Sequence, residues 1–408
     1  MQTLITFLLI LGFVSPCLCV RWNNARTQNK TYNVKDYGAY GDGKYDDSGA
    51  FLRAWKDICG SQDTPTLVIP PNGVFLIKSI TLSGPCIATS INIQLQGSIV
   101  APVKNEWLKV LGMLDPIQDP EQDLTDQRFN LIVISNVSRL SLDGTGGSID
   151  GFGSSWWDCR NCERPTILRF RFCNDLTVSN LNISNSPKAH IRMNSCENAT
   201  FSNISIHSPG DSPNTDGIDI LASKNILIQD STMHCGDDCI AISGGSSHIN
   251  ATGIACGPGH GISIGSLGRN KAYDTVEEVY VKNCTFTNTE NGARIKTVPG
   301  GSGYARNIIF ENITVIQAQN PIIIDQYYES RIPMSGALNV SDVIFRGFSG
   351  TSAKKNAINL NCSSSGCFDI VLDHIHIVSS LPGKPASCSC NNAHGTATDT
   401  VPKCYLLS

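Results

Sequence analysis

A right-handed parallel β-helix is the fold this 408-residue sequence predicts, on three observations. The runs Val178-Ser179-Asn180-Leu181, Phe201-Ser202-Asn203-Ile204, Ile228-Gln229-Asp230-Ser231, Val281-Lys282-Asn283-Cys284 and Phe310-Glu311-Asn312-Ile313 superpose as a loose internal repeat. Their polar corners lie about 23 to 30 residues apart, or about twice that across a weaker copy near Gly253, with later copies near Gly347 and His374. The segments between corners are β-branched, with no helical or leucine-rich signature, so each repeat reads as one coil stacked on the next. A sandwich would need no such period, and propeller blades need about 40 to 50 residues.

Composition agrees. Only 16% of residues are charged and 36 are glycine, which favours turn-rich β structure over helical bundles. The formal net charge of −4 argues against a nucleic-acid partner. The apolar run Leu4 to Val14 has the length of a signal-peptide core, is too short to span a membrane, and is followed by small residues before the first charge at Arg21. The expected organisation is therefore a signal peptide over 1–20 and a single β-helix domain over 21–408. Removing Cys17 and Cys19 leaves 17 − 2 = 15 cysteines, an odd number that requires at least one free thiol or an intermolecular partner. In a secreted chain the close pairs Cys159/Cys162 and Cys362/Cys367 read as disulfides rather than zinc ligands. Sequons at Asn29, Asn136, Asn182, Asn198, Asn203, Asn250, Asn283, Asn312, Asn339 and Asn361 fit the secretory pathway.

Taken in order, Tyr32 to Val34 reads as a strand entering the glycine-rich turn Tyr37 to Gly43. No G-K-S/T follows, so the turn is structural rather than phosphate-binding. Asp46 or Asp47 can cap a helix with Phe51, Leu52, Trp55 and Ile58 on one face, placed to cover the open end of the coils. Short strands follow at Leu67 to Ile69, Val74 to Ile77, Ile91 to Leu95 and Ile99-Val100. Leu114 to Arg128 reads as a solvated acidic loop, since its carboxylates lack EF-hand spacing.

Four polar clusters interrupt the strand-forming sequence: Asn214-Thr215-Asp216, Gly236-Asp237-Asp238, Gly259-His260-Gly261 and Arg294-Ile295-Lys296. Asp216, Asp237 and His260 are 21 and 23 residues apart (237 − 216, 260 − 237), close to one coil each, so stacking at about 4.8 Å would gather them on one wall. Arg294 follows after 34 residues (294 − 260), with Arg269 to Asp274 as the expected loop insertion. Carboxylates crowded in this way cannot all ionise easily, so one retains a proton and the set can divide acid and base roles. That division is what cleavage of a glycosidic bond requires. A bend at Gly236 would turn Asp237 and Asp238 toward one cleft.

The strings N-T-D-G-I-D-I at 214–220, G-D-D-C at 236–239, C-G-P-G-H-G-I-S-I-G-S-L-G at 256–268 and R-I-K at 294–296 resemble the polygalacturonases, pectin-degrading glycoside hydrolases, and the secreted plant members in particular. I-D-G-F-G-S-S-W-W at 149–157 and N-S-P at 185–187 extend the resemblance over nearly the whole mature chain. It implies hydrolysis of α-1,4 links between galacturonic acid units, with inversion and without a cofactor or metal. Asp237 would be the general acid, Asp216 and Asp238 would activate water, and His260 would support the acid's protonation. Asn214, Arg294, Lys296 and Tyr328 would bind the substrate, the two cations by its carboxylate. It also implies a disulfide between Cys239 and Cys256. Glu329 departs from the pattern, because a cysteine commonly follows that tyrosine. Two other readings are a pectate-lyase-like enzyme acting by β-elimination and a non-catalytic pectin-binding β-helix protein; the aspartates within hydrolase motifs favour neither. The expected partner is pectic polysaccharide in the cell wall, outside the cell, with no membrane or nucleic acid and the chain acting as a monomer.

Overall fold

The computed structural model describes residues 30–113, 129–159, 161–329 and 337–408. The segment read as a signal peptide and the whole of the acidic loop, residues 114–128, lie outside them. The chain winds as stacked coils in which the assigned strand pairings are parallel, giving a 21-stranded sheet and an 11-stranded sheet around an apolar core. In the smaller sheet Ile218, Ile240 and Ile262 stand one above another at intervals of 22 residues (240 − 218, 262 − 240). Isoleucine stacked on isoleucine fills the interior, and alternate residues such as Asp219 and Ser263 face out.

The corners follow from backbone conformation. Asn180, Asn203, Asp230, Asn283 and Asn312 have φ between 49° and 55°, and Gly253, Gly347 and His374 fall in the same left-handed region. Asparagine, aspartate and glycine tolerate that region best, so the repeat seen in the sequence is a repeat of turn conformation. Five sequon residues, Asn136, Asn198, Asn203, Asn283 and Asn312, occupy such positions.

A helix over Ser48–Cys59 packs on the first coils through Ala50, Phe51, Ala54, Trp55 and Ile58. Leu52 was expected on this face but is 41% exposed. One residue past Phe51 it is rotated by about 100°, off the buried stripe. Asp46 accepts the Ser48 amide at 3.1 Å, whereas Asp47 turns back to accept the amides of Tyr40 and Gly41 at 2.7 and 3.0 Å, pinning the glycine-rich turn. A second helix, Lys104–Met113, was not anticipated; its Trp107 ring meets Trp156 edge-on at 6.2 Å.

Disulfides join Cys59 to Cys86, Cys159 to Cys162, Cys239 to Cys256, Cys362 to Cys367 and Cys388 to Cys404. The bond implied for Cys239 and Cys256 is thus present. Cys173, Cys196, Cys235, Cys284 and Cys390 are free, which satisfies the odd count.

Candidate active site

Three turns entering consecutive strands of the smaller sheet carry Asp216, Asp237 with Asp238, and His260. The chain bends at Gly236 and Asp237 before the strand Ile240–Ile242. A Cβ on Gly236 would lie 2.0 Å from the Ser212 carbonyl oxygen, so only glycine lets the turn sit against the coil below. Gly261, at φ 83°, approaches the Asn291 carbonyl just as closely, at 2.2 Å from an added Cβ. Backbone contact of this kind sets the heights of the aspartates and of His260.

The stacking differs by one residue from the sequence expectation. The register of Ile218 with Ile240 puts Asp238, rather than Asp237, one coil from Asp216 (238 − 216 = 22). Asp237 still reaches the site, because the bend at Gly236 leaves adjacent side chains free of strict alternation. Its Oδ1 lies 2.9 Å from His260 Nδ1, and its Oδ2 accepts from Asn214 Nδ2 at 3.2 Å. Asn214 is itself oriented by Arg164, whose guanidinium donates to Asn214 Oδ1 at 2.6 Å and to the Pro187 carbonyl at 3.0 Å.

Asp238 is 1% exposed and surrounded by donors. Ser263 Oγ donates to its Oδ1 at 2.8 Å, Arg294 Nη2 to the same oxygen at 2.5 Å, and Lys296 Nζ to Oδ2 at 2.7 Å. Both cations are almost fully buried in these ion pairs. The Tyr328 ring lies over them, its centroid 5.2 Å from Lys296 Nζ and 5.9 Å from the Arg294 guanidinium carbon.

Charge is therefore balanced unevenly. Burial and the neighbouring charges of Asp219, Asp237 and Asp238 push the Asp216 carboxyl well above its ordinary range. Asp219 is pushed up to about 6, chiefly by burial, against the opposing pull of Arg192. For Asp237, burial also pushes upward, but the hydrogen bond and charge of His260 win and hold it below the usual value. His260 in turn is raised, since Asp237 and Glu290 outweigh burial. Proton affinity is thus raised on the Asp216 side of the cluster, while Asp237 and His260 stabilise each other as carboxylate and imidazolium.

Asp237, Asp238 and His260 bring donor atoms within 4.8 Å of one another. Their atoms are engaged with one another and with Asn214, Arg294, Lys296 and Ser263. Cys388, Cys390 and Cys404 also converge, but two of them form a disulfide.

All eight residues singled out from the sequence, Asn214, Asp216, Asp237, Asp238, His260, Arg294, Lys296 and Tyr328, belong to this one neighbourhood. Sequence reasoning missed Arg164, Asp219, Ser263 and Glu290. Asp219 and Ser263 could have been found, since they share the outward column of Arg294 in the strand register. Nothing in the sequence marked Arg164, which lies 50 residues from Asn214. Glu329 pairs with Arg269 of the expected insertion, which folds as a short 3₁₀ turn over Arg269–Lys271.

The chain is similar to known proteins over most of its length. Residues 59–400 match the family model of the glycosyl hydrolases family 28. A probable polygalacturonase of Arabidopsis thaliana is 42% identical over 393 residues, covering 94% of this chain and 82% of the relative. Polygalacturonase-2 of Solanum lycopersicum is 39% identical over 93% of this chain and 81% of its own length. Among solved structures, the endo-xylogalacturonan hydrolase of Aspergillus tubingensis superposes with a TM-score of 0.76 at 26% identity, over 91% of this chain and 99% of that one. A family model matched over most of the chain, and relatives about 40% identical along nearly all of it, show that the chain belongs to the glycosyl hydrolases of family 28.

Proposed function

We propose that this glycoside hydrolase cleaves α-1,4-galacturonosidic bonds of pectic polysaccharide by acid/base catalysis with inversion. The observation that carries the reading is the Asp237–His260 contact: a carboxylate and an imidazole sharing a proton at the mouth of a cluster whose remaining carboxylates are buried. As the glycosidic bond breaks, Asp237 delivers that proton to the leaving oxygen, and His260 supplies it. Asp216 and Asp238 receive the proton of the attacking water. The raised proton affinity of Asp216 makes its ionised form the stronger base. Arg294 and Lys296 neutralise Asp238 and present positive charge beneath the substrate's carboxylate, with Asn214 and Tyr328 beside it. The polygalacturonase relatives support this substrate class.

The nearest carboxyl oxygens of Asp237 and Asp238 lie within 4.8 Å, shorter than the about 6.5 to 9.5 Å usual for inversion. The anomeric form decides the point: NMR of the first product from unesterified polygalacturonate should show the β-anomer, and an α-product would overturn the inverting assignment. Reducing ends should appear without the ultraviolet absorbance of an unsaturated sugar, which elimination would leave. The proposal includes a signal peptide over residues 1–20, a single mature domain over 21–408, action outside the cell at the wall, and a monomeric enzyme. Among the described residues no helix is long and apolar enough to cross a membrane.

A further inference from the structure

The second nitrogen of His260 points to a carboxylate that the motifs did not contain. Its Nε2 lies 3.2 Å from Glu290 Oε2, while Nδ1 lies 2.9 Å from Asp237 Oδ1. A neutral imidazole carries one N–H and can donate to only one of them; facing two carboxylates, the ring satisfies both only as the imidazolium. The proton affinity of His260 is raised, in agreement with this geometry.

The backbone holds Glu290 in place. Its amide donates to the Gly259 carbonyl at 2.7 Å, and its carbonyl accepts the Asn320 amide at 2.9 Å, so it stands one coil beyond His260. The next residue, Asn291, is buried and donates to the His260 carbonyl at 3.3 Å. The charged groups gathered about the imidazole are Asp237 and Asp238 from the turn before Ile240–Ile242, with Asp216 beyond them, and Glu290, Arg294 and Lys296 from the following coil. Arg294 and Lys296 are committed to Asp238, which leaves Glu290 as the counter-charge on the outer edge of the ring.

We infer that Glu290 is a positioning residue that keeps His260 doubly protonated and so keeps the acid's proton in the Asp237–His260 pair to higher pH. This rests on the proposed acid role of Asp237. Because the folded pKa of His260 is raised, the proton is fully present at low pH and is lost as pH rises through that value. Removing the Glu290 charge lowers the value, so the alkaline limb of the pH–rate profile should move toward acid. With Glu290 about half exposed, screening limits the shift to about 0.3 to 0.7 pH unit.

The test compares wild type, Glu290→Gln and Glu290→Asp. NMR titration of the His260 ring, without substrate, should give a lower midpoint in Glu290→Gln and recovery toward wild type in Glu290→Asp. The alkaline limb on polygalacturonate should move by the same amount. An unchanged His260 midpoint overturns the inference, and so does a shifted midpoint with an unmoved limb. If wild type did not cleave polygalacturonate, the proposed function would fail while the NMR arm still judged the Glu290–His260 pairing.

Discussion

Two columns of polar side chains run through the coils at the same spacing and to opposite ends. At the corners, Asn203 donates to Asn180 at 2.7 Å and Asn180 to Asp143 at 2.9 Å, while Asn312 reaches Asn283 at 3.5 Å. Each amide is donor and acceptor at once, so stacking one coil on the next satisfies the column with its own kind. On the wall of the candidate site, Asp216 stacks on Asp238, and a carboxylate cannot satisfy its copy. That column is compensated by Arg294, Lys296 and His260, and its crowding raises the proton affinity of Asp216. The same coil geometry thus builds a self-satisfied ladder from amides and, from acids, a charge cluster that needs counter-ions.

Substitution of the acid should show the greatest contrast. Asp237→Asn removes the proton donor with little change of shape, and general acid catalysis is worth about 10²- to 10⁴-fold. Turnover of polygalacturonate should fall by that range with an unchanged melting curve; activity within twofold of wild type would assign the acid elsewhere.

Lys296→Met should act on stability as well as on turnover. Removing one partner of a buried pair leaves Asp238 undercompensated, at a cost of about 3 to 5 kcal/mol. Chemical denaturation should register that loss, and Asp238→Asn combined with Lys296→Met should recover most of it. If the single and double variants were equally unstable, the ion pair would not be what holds the wall together. Turnover should fall in both, and the preference for unesterified over methyl-esterified pectin should narrow in Lys296→Met.

The smallest effect is expected in the ladder. Asn180→Ala deletes two hydrogen bonds and places alanine at φ 55°, which should cost about 1 to 3 kcal/mol. Asn180→Gly, relieved of the backbone strain, should cost less. Neither should alter kcat, and a change in kcat would mean that corner and catalytic wall are mechanically coupled.

The fold was legible because its determinant is local and repeated. A residue able to adopt positive φ recurs once per coil, with β-branched residues between, and both signals sit in the linear sequence. The clustering of the polar strings was legible for a related reason, since each is a short run brought to one wall by that period. The exchange of Asp237 for Asp238 in the stack was not, because a period in residues carries an error of one wherever a bend absorbs a residue. Leu52 failed likewise: one step along a helix turns a side chain away from the core.

By itself the sequence determined the coil, its corners, the wall on which the charges gather and the family to which they belong. Tertiary structure alone decided the partners of each charge. Arg164 reaches Asn214 across 50 residues and Lys296 reaches Asp238 across 58, and Glu290 meets His260 only because the coil between them closes. Proton affinity depends on burial and on charges within a few ångströms, and neither quantity exists until the coils are stacked.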